Sequence, residues 1–236
     1  MHFELEDGFV FLIDKDLHWT SFDVVKKIRN TIKQKKVGHA GTLDPLASGL
    51  MIICTGKGTK KIESLMGVEK EYTGTFRLGG TTPSYDLETA IDAVYPVAHI
   101  TADLILETAK AFVGPQMQIP PIYSALKVEG KKLYELARSG KEVKIEPRPV
   151  EIKEFEITEI NLPKIAFRVV VSKGTYIRSL AFDFGKACGS GGHLAELRRT
   201  RVGNYTIQNA LTVTEWMQWW KLRTPTEDET PTNTSN

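Results

Sequence analysis

Nowhere does the chain hold an apolar run near the roughly 20 residues that a membrane-spanning helix needs. The longest is Leu50 to Cys54, so an integral helical membrane protein is not expected. The N-terminus lacks the basic-then-apolar order of a secretory signal and reads Met1-His2-Phe3-Glu4-Leu5-Glu6-Asp7, which points to a cytoplasmic protein. Two cysteines, Cys54 and Cys188, are too few for a disulfide framework or a zinc site of their own, and suit a reducing compartment. Excess charge is missing as well: a net +2 at pH 7 does not by itself argue for a polyanionic partner. What is present is globular composition, 41% apolar and 25% charged over 236 residues, enough for one large domain or two small ones and unlike a disordered chain.

The distribution of charge says more than its sum. Lys26, Lys27, Arg29, Lys33, Lys35 and Lys36 follow one another without an acid; Lys57, Lys60 and Lys61 form a second cluster, and Arg198, Arg199 and Arg201 a third. Any one cluster reads as a solvated face, but three beside glycine-rich turns point towards a phosphate backbone. Lys127, Lys131 and Lys132 read as phosphate or solvent contacts.

Apolar periodicity predicts a buried strand at Phe9–Ile13 and then a helix capped by Thr20 or Ser21, with Val24, Val25, Ile28 and Ile32 on its apolar arc. Gly38 to Gly49 reads as a loop before a strand at Leu50–Cys54. Alternation predicts a strand over Glu71–Leu78. A helix with Leu104, Ile105, Ala109 and Phe112 follows Thr101 and ends at Gly114-Pro115. Branched residues predict a hairpin from Ile152–Ile160 and Ile165–Val171. A helix with Ile177, Leu180, Ala181 and Phe184 should stop near Gly189. A capping box at Thr212 to Glu215 starts a last helix whose Trp216 and Trp220 pack on the body. The organisation expected is one domain, residues 1–222, and a disordered polar tail, 223–236.

The chemistry concentrates in Gly38-His39-Ala40-Gly41-Thr42-Leu43-Asp44-Pro45-Leu46-Ala47-Ser48-Gly49. Glycines let the backbone approach a ligand closely, and Pro45 biases Asp44 to an extended backbone that can hold a carboxylate out of regular structure. On spacing alone an ordinary Asp-Pro turn explains the same residues. The stretch GHAGTLDPLASGLM, however, closely resembles the catalytic motif of the TruB family of tRNA pseudouridine synthases. The resemblance continues through KEYTGTFRLGGTTPSYD, YSALKVEGKKLYELAR, SKGTYIRSLAFDFG and GGHLAELRRTRVG, in family order from about Asp14 to Tyr205.

That resemblance implies an α+β pseudouridine-synthase fold: a central, mainly antiparallel sheet flanked by helices, with an RNA-binding cleft. It implies isomerisation of uridine 55 in the T loop of tRNA, with no metal or organic cofactor, by a monomer that needs no protein partner or membrane. Asp44 takes the catalytic position and Arg178 that of the arginine pairing with it. Tyr72 matches the tyrosine that stacks on the flipped base. Tyr176 and Leu197 fall on pocket positions, and His39 matches the histidine that enters the RNA loop. Asp86 falls on an aspartate near the substrate loop, although the glycine usual after it is replaced by Glu88-Thr89. Without the motif, Tyr72 and Leu197 would read as core, Arg178 as solvent-facing and His39 as a turn residue. Lys15 lies in Asp14-Lys15-Asp16 where the family pattern is Asp-Lys-Pro, which leaves its reach open. Many members continue into a small RNA-binding module, for which the residues after Trp220 are too few.

Two other classes compete. A non-catalytic tRNA-binding folding factor would use the same surface without turnover. A glycoside or nucleoside hydrolase would want a second carboxylate beside Asp44, and none is evident.

Overall fold

A computed structural model describes residues 2–5, 8–124, 126–128, 131–133 and 144–223. In chain order the elements are β1 (His2–Leu5), β2 (Gly8–Lys15), α1 (Ser21–Ile32), β3 (Val37–His39), β4 (Ala47–Thr55) and α2 (Ile62–Met66). Next come β5 (Lys70–Leu78), β6 (Gly80–Thr81), β7 (Ala93–Val94), α3 (Ala102–Ala111), β8 (Gly114–Gln118), β9 (Lys127–Val128) and β10 (Lys131–Lys132). The chain continues through β11 (Arg148–Asn161), β12 (Lys164–Val171), α4 (Ile177–Ala187), β13 (Gly192–Val202), β14 (Tyr205–Thr206), β15 (Leu211–Thr212) and α5 (Val213–Arg223). Of the expected tail, Arg223 belongs to α5 and residues 224–236 lie outside the described residues, as do the side chains of Lys127, Lys131 and Lys132. Among the described residues no helix is long and apolar enough to cross a membrane.

The fold class is α+β, and the chain forms two compact units: residues up to Leu65 with those from Tyr205 onward, and Met66 to Asn204. In the first unit β2 pairs antiparallel with β1 and β4, β3 adds to β4, and β15 runs parallel beside Ile13 and Asp14. The apolar run that predicted a strand is buried throughout, from Val10 to Ile13 and from Leu50 to Cys54. Thr20 caps α1 through a reciprocal box with Asp23, worth about 1 kcal/mol. The Thr212–Glu215 box starts α5 as expected. That helix packs its Trp216 edge-on to Phe11, ring centroids 5.1 Å apart.

The second unit is an antiparallel sheet in the order β13-β5-β12-β11-β8. Phe76, Phe155, Phe167 and Phe184 meet on one face and hold α4 against it. The edge strand β8 was not expected, because its Gly114-Pro115 start reads as punctuation. An edge strand tolerates proline, whose missing N–H can face away from the ladder.

The opposite face is ionic. Arg168 reaches Glu71 and Glu154, each at 2.7 Å, while Glu69 takes Lys153 and Arg201, also at 2.7 Å each. Hydrogen bonds from Lys153 and Arg201 hold the Glu69 carboxyl below the usual range. This overturns one reading of the basic clusters. Arg201 is engaged with acids of its own sheet, and Arg199 is only 1% exposed, so these two members of the third cluster are not a surface phosphate grip. A bulge is the reason: the register shifts between Arg199 and Arg201, so Arg199 falls opposite Tyr72 and Arg201 opposite Glu71, on the other face.

Lys70, at the start of β5, is buried with its ammonium donating to the Met66 and Val68 carbonyls at 2.7 and 2.6 Å. Burial above all, then the charges of Arg199 and Lys173, pushes its pKa down to about 8. A lysine with a depressed native pKa weighs on stability while it is charged, below that value. The burden lifts as pH rises towards the unfolded value near 10.4. The stability of the parent relative to Lys70→Met should therefore rise between about pH 8 and about pH 10. Urea denaturation across that range checks it, and a pH-independent difference would contradict the assignment.

Candidate active site

The segment expected to be one loop is shorter than the sequence suggests. Gly38 and His39 end β3, with His39 opposite Ile53, and Ala47 already begins β4, so the irregular stretch is residues 40–46. The glycines flanking His39 masked this short strand, which pairs with β4 and prolongs its contact through an Ala40 N–H donated to Ile52 O. His39 is half-buried there.

Irregular backbone needs other partners for its polar groups. Ser21 Oγ supplies two: it donates to Leu43 O and accepts from Leu43 N, both at 2.9 Å. His18 N–H donates to Pro45 O at 2.8 Å, and Ala47 N–H donates to Asp44 O at 3.0 Å, closing a turn with Pro45 at its second position. Gly41 within the loop and Gly49, the third residue of β4 and paired with Lys15, sit at φ of 97° and 107°, a region that side chains resist. Leu43 is buried beneath, and Asp44 stands half-buried on a backbone tied on both sides. Ser21 had been one of two cap candidates. Thr20 takes the cap, which leaves the Ser21 hydroxyl to hold the loop.

Lys15 is fully buried, and its ammonium donates to Asp16 O and Trp19 O at 3.0 and 2.8 Å. Through these two bonds it clamps the turn that leads into α1.

In the second unit Arg178 lies in the first turn of α4, 4% exposed. Its Nη1 donates to Tyr123 O at 2.9 Å and to Ser84 O at 3.3 Å, and its Nε stands 3.6 Å from Asp86 Oδ2. Asp86 is equally buried, and its Oδ1 accepts from Ser84 Oγ at 2.6 Å and from Glu88 N–H at 2.9 Å. The backbone of Glu88 thus closes the turn where a glycine was expected. Tyr176 sits at the N-cap of α4. Its N–H donates to Gln118 Oε1 at 2.8 Å and its carbonyl accepts from Gln118 Nε2 at 3.1 Å. Ser179 Oγ donates to Ile119 O at 2.7 Å. Neither Gln118 nor Ser179 stood out in the sequence, because a buried side chain holding distant backbone leaves no local pattern.

Tyr72 and Leu197 are brought onto one face. Leu197 pairs with Gly74 and Arg199 with Tyr72 across β13 and β5, and paired residues of an antiparallel ladder point the same way. Tyr72 is 8% exposed and Leu197 half-buried. Arg178 and Asp86 form a second group in the same unit, with Tyr176 two residues before Arg178 at the start of α4. Among the described residues no cluster of three or more His, Cys, Asp or Glu could hold a metal ion. Both cysteines are buried, and burial pushes the Cys54 thiol up to about 11, so thiolate chemistry has no carrier there.

Two substitutions test this geometry. Ser21→Ala leaves both Leu43 backbone groups buried without their partner, a loss of about 1–3 kcal/mol that urea denaturation should register. Arg178→Lys keeps the charge but not the directed donors to Tyr123, Ser84 and Asp86, and turnover should fall severely. Product formation near the parent level would show that charge alone suffices.

The model for the TruB family pseudouridylate synthase N-terminal domain matches residues 29–177. The model for the tRNA pseudouridylate synthase B C-terminal domain matches residues 178–230, beginning inside α4. The chain is 58% identical over 218 residues to the tRNA pseudouridine synthase B of Flavobacterium johnsoniae, covering 89% of this chain and 95% of that one. It is 53% identical over 220 residues to that of Phocaeicola vulgatus, covering 91% and 94%. Among solved structures, a crystal structure of a Cbf5-Nop10-Gar1 complex contains a chain similar at TM-score 0.71 and 31% identity. That match covers 93% of this chain and 57% of the other, so this chain spans little more than half its length. An archaeal box H/ACA sRNP Nop10-Cbf5 complex gives a TM-score of 0.68 at 29% identity, covering 91% of this chain and 54% of that one. With family motifs from one end of the folded body to the other, and relatives matched over nearly their whole length, the chain belongs to the TruB family of pseudouridylate synthases and is an enzyme of the isomerase type.

Proposed function

We propose that this chain isomerises uridine 55 in the T loop of tRNA to pseudouridine, acting in the cytoplasm as a monomer that grips the T arm, with Asp44 as the catalytic carboxylate. The reading is supported by relatives named tRNA pseudouridine synthase B and by the observation that carries it: a half-buried aspartate on irregular backbone that is tied by Ser21, His18 and Ala47.

The reaction breaks N1–C1′, turns the uracil and forms C5–C1′. The proton leaves C5 and one is taken up at N1, so no atom, electron or cofactor enters. A carboxylate suits each stage: it can attack C1′ or take a sugar proton, and later act as base at C5. A rigid loop matters because either role requires the oxygen within hydrogen-bond or bonding reach of one carbon.

Arg178 is assigned to keep Asp44 ionised. Tyr72 stacks on the flipped base, Leu197 and Tyr176 line its pocket, and His39 enters the RNA loop where bases leave. Asp86 acts through Arg178, whose guanidinium it faces at 3.6 Å.

Asp44→Asn should abolish turnover while tRNA affinity stays within about tenfold, because one carboxylate is no main phosphate contact. Product formation and equilibrium binding measured side by side check this. Turnover near the parent level would remove Asp44 from the chemistry and leave the catalytic group to be sought elsewhere.

A further inference from the structure

A groove of about 360 Å³ opens on the first unit beside α1, lined by His18, Trp19, Asp23, Lys26, Lys27 and Asn30. Its wall is built rigidly. His18 adopts the left-handed conformation at φ 66°, costly for a residue with a side chain, and its N–H is fixed on Pro45 O at 2.8 Å. Trp19, the only tryptophan outside α5, is half-buried and has its carbonyl held at 2.8 Å by the buried Lys15 ammonium. Lys26 and Lys27 are exposed on the next turn of α1. The acid between them and the tryptophan is already engaged: Asp23 Oδ2 accepts from Thr20 N–H at 2.9 Å and from Thr20 Oγ at 2.6 Å, as part of the helix cap. An indole beside two exposed ammonium groups, on pinned backbone, is the combination that takes an unpaired base by its face and its phosphates by their charge.

We propose that this groove binds one unpaired nucleotide of the RNA substrate, its base stacked on Trp19 and its phosphates against Lys26 and Lys27. The assignment rests on the chain acting on tRNA. It adds a second anchor for that RNA, apart from the position of the target base. Because the His18 N–H is donated to Pro45 O, the anchor is joined through one hydrogen bond to the loop that carries Asp44.

The test uses the full chain and an unmodified tRNA transcript. Affinity is measured at two salt concentrations for the parent, W19A, W19L, W19F and K26A/K27A. Tryptophan emission is followed during each titration, and thermal melting of the free variants checks their folding. W19A should bind about tenfold more weakly, W19F should restore most of that loss, and the RNA-induced quenching seen in the parent should shrink in W19F. K26A/K27A should lower the slope of log affinity against log salt by roughly 1.4–1.8, as expected for two lost phosphate contacts. Where W19A fails to fold, W19L decides, since it keeps apolar volume without an aromatic face and should bind as weakly as W19A. W19A, W19L and K26A/K27A all binding like the parent, or a loss confined to the lysine pair with quenching unchanged in W19F, would overturn the proposal. A parent that neither binds nor modifies the transcript would instead overturn the reading of tRNA as substrate.

Discussion

The placement of the proposed chemistry depends on one kind of interaction: a buried polar side chain that bonds both backbone groups of a residue outside regular repeats. Ser21 does this for Leu43, next to Asp44, and Gln118 does it for Tyr176, two residues before Arg178. Helices and strands fix their backbone by repetition, but a loop that must present a carboxylate cannot. Each bracket gives a non-repeating segment two directed hydrogen bonds from a side chain whose own element is rigid. Ser21 starts a capped helix, and Gln118 closes a strand of the second unit's sheet. Removing Ser21 Oγ strands both Leu43 groups at once, and removing Gln118 strands the Tyr176 N–H, whose carbonyl keeps the Leu180 N–H, so the brackets are costly to lose.

Charge is arranged on the same principle of local partners. On the outer face of the second unit Arg168, Arg201 and Lys153 are matched by Glu69, Glu71 and Glu154, so that face is largely self-neutralising. The lysines of the first unit are placed differently. Lys26, Lys27, Lys33, Lys35 and Lys36 are exposed on α1 and just beyond it, as are Lys57, Lys60 and Lys61. A net charge of +2 thus conceals a surface where cations are concentrated on one part of the chain and cancelled on another.

Much of this was legible in the residues. The caps at Thr20 and Thr212, the β11–β12 hairpin and the apolar arc of α1 each carry a local signal, and the structure forms them where that signal lies. The family motif singled out Asp44 and Arg178 for a catalytic role that composition could not supply. What escaped was non-local. Short β3 hid between glycines because its pairing partner is in β4, and edge strand β8 hid behind Gly114-Pro115. The cluster at Arg198, Arg199 and Arg201 looked like one surface until the pleat and the bulge after Arg199 divided it between two faces. The partner of Arg178 visible in the second unit, Asp86, lies 92 positions away in sequence. Ser21 was noticed for the wrong task, since only the fold shows that its neighbour takes the cap.

The central claim is that the anchored Asp44 loop serves an isomerase acting on one uridine of tRNA. The most direct measurement is site-resolved pseudouridine mapping of an unmodified tRNA transcript incubated with the purified chain, with the same mixture assayed for free uracil. The account predicts pseudouridine at position 55 in the T loop and no released base. A T loop left unmodified, or free uracil in place of the C-glycoside, would contradict it.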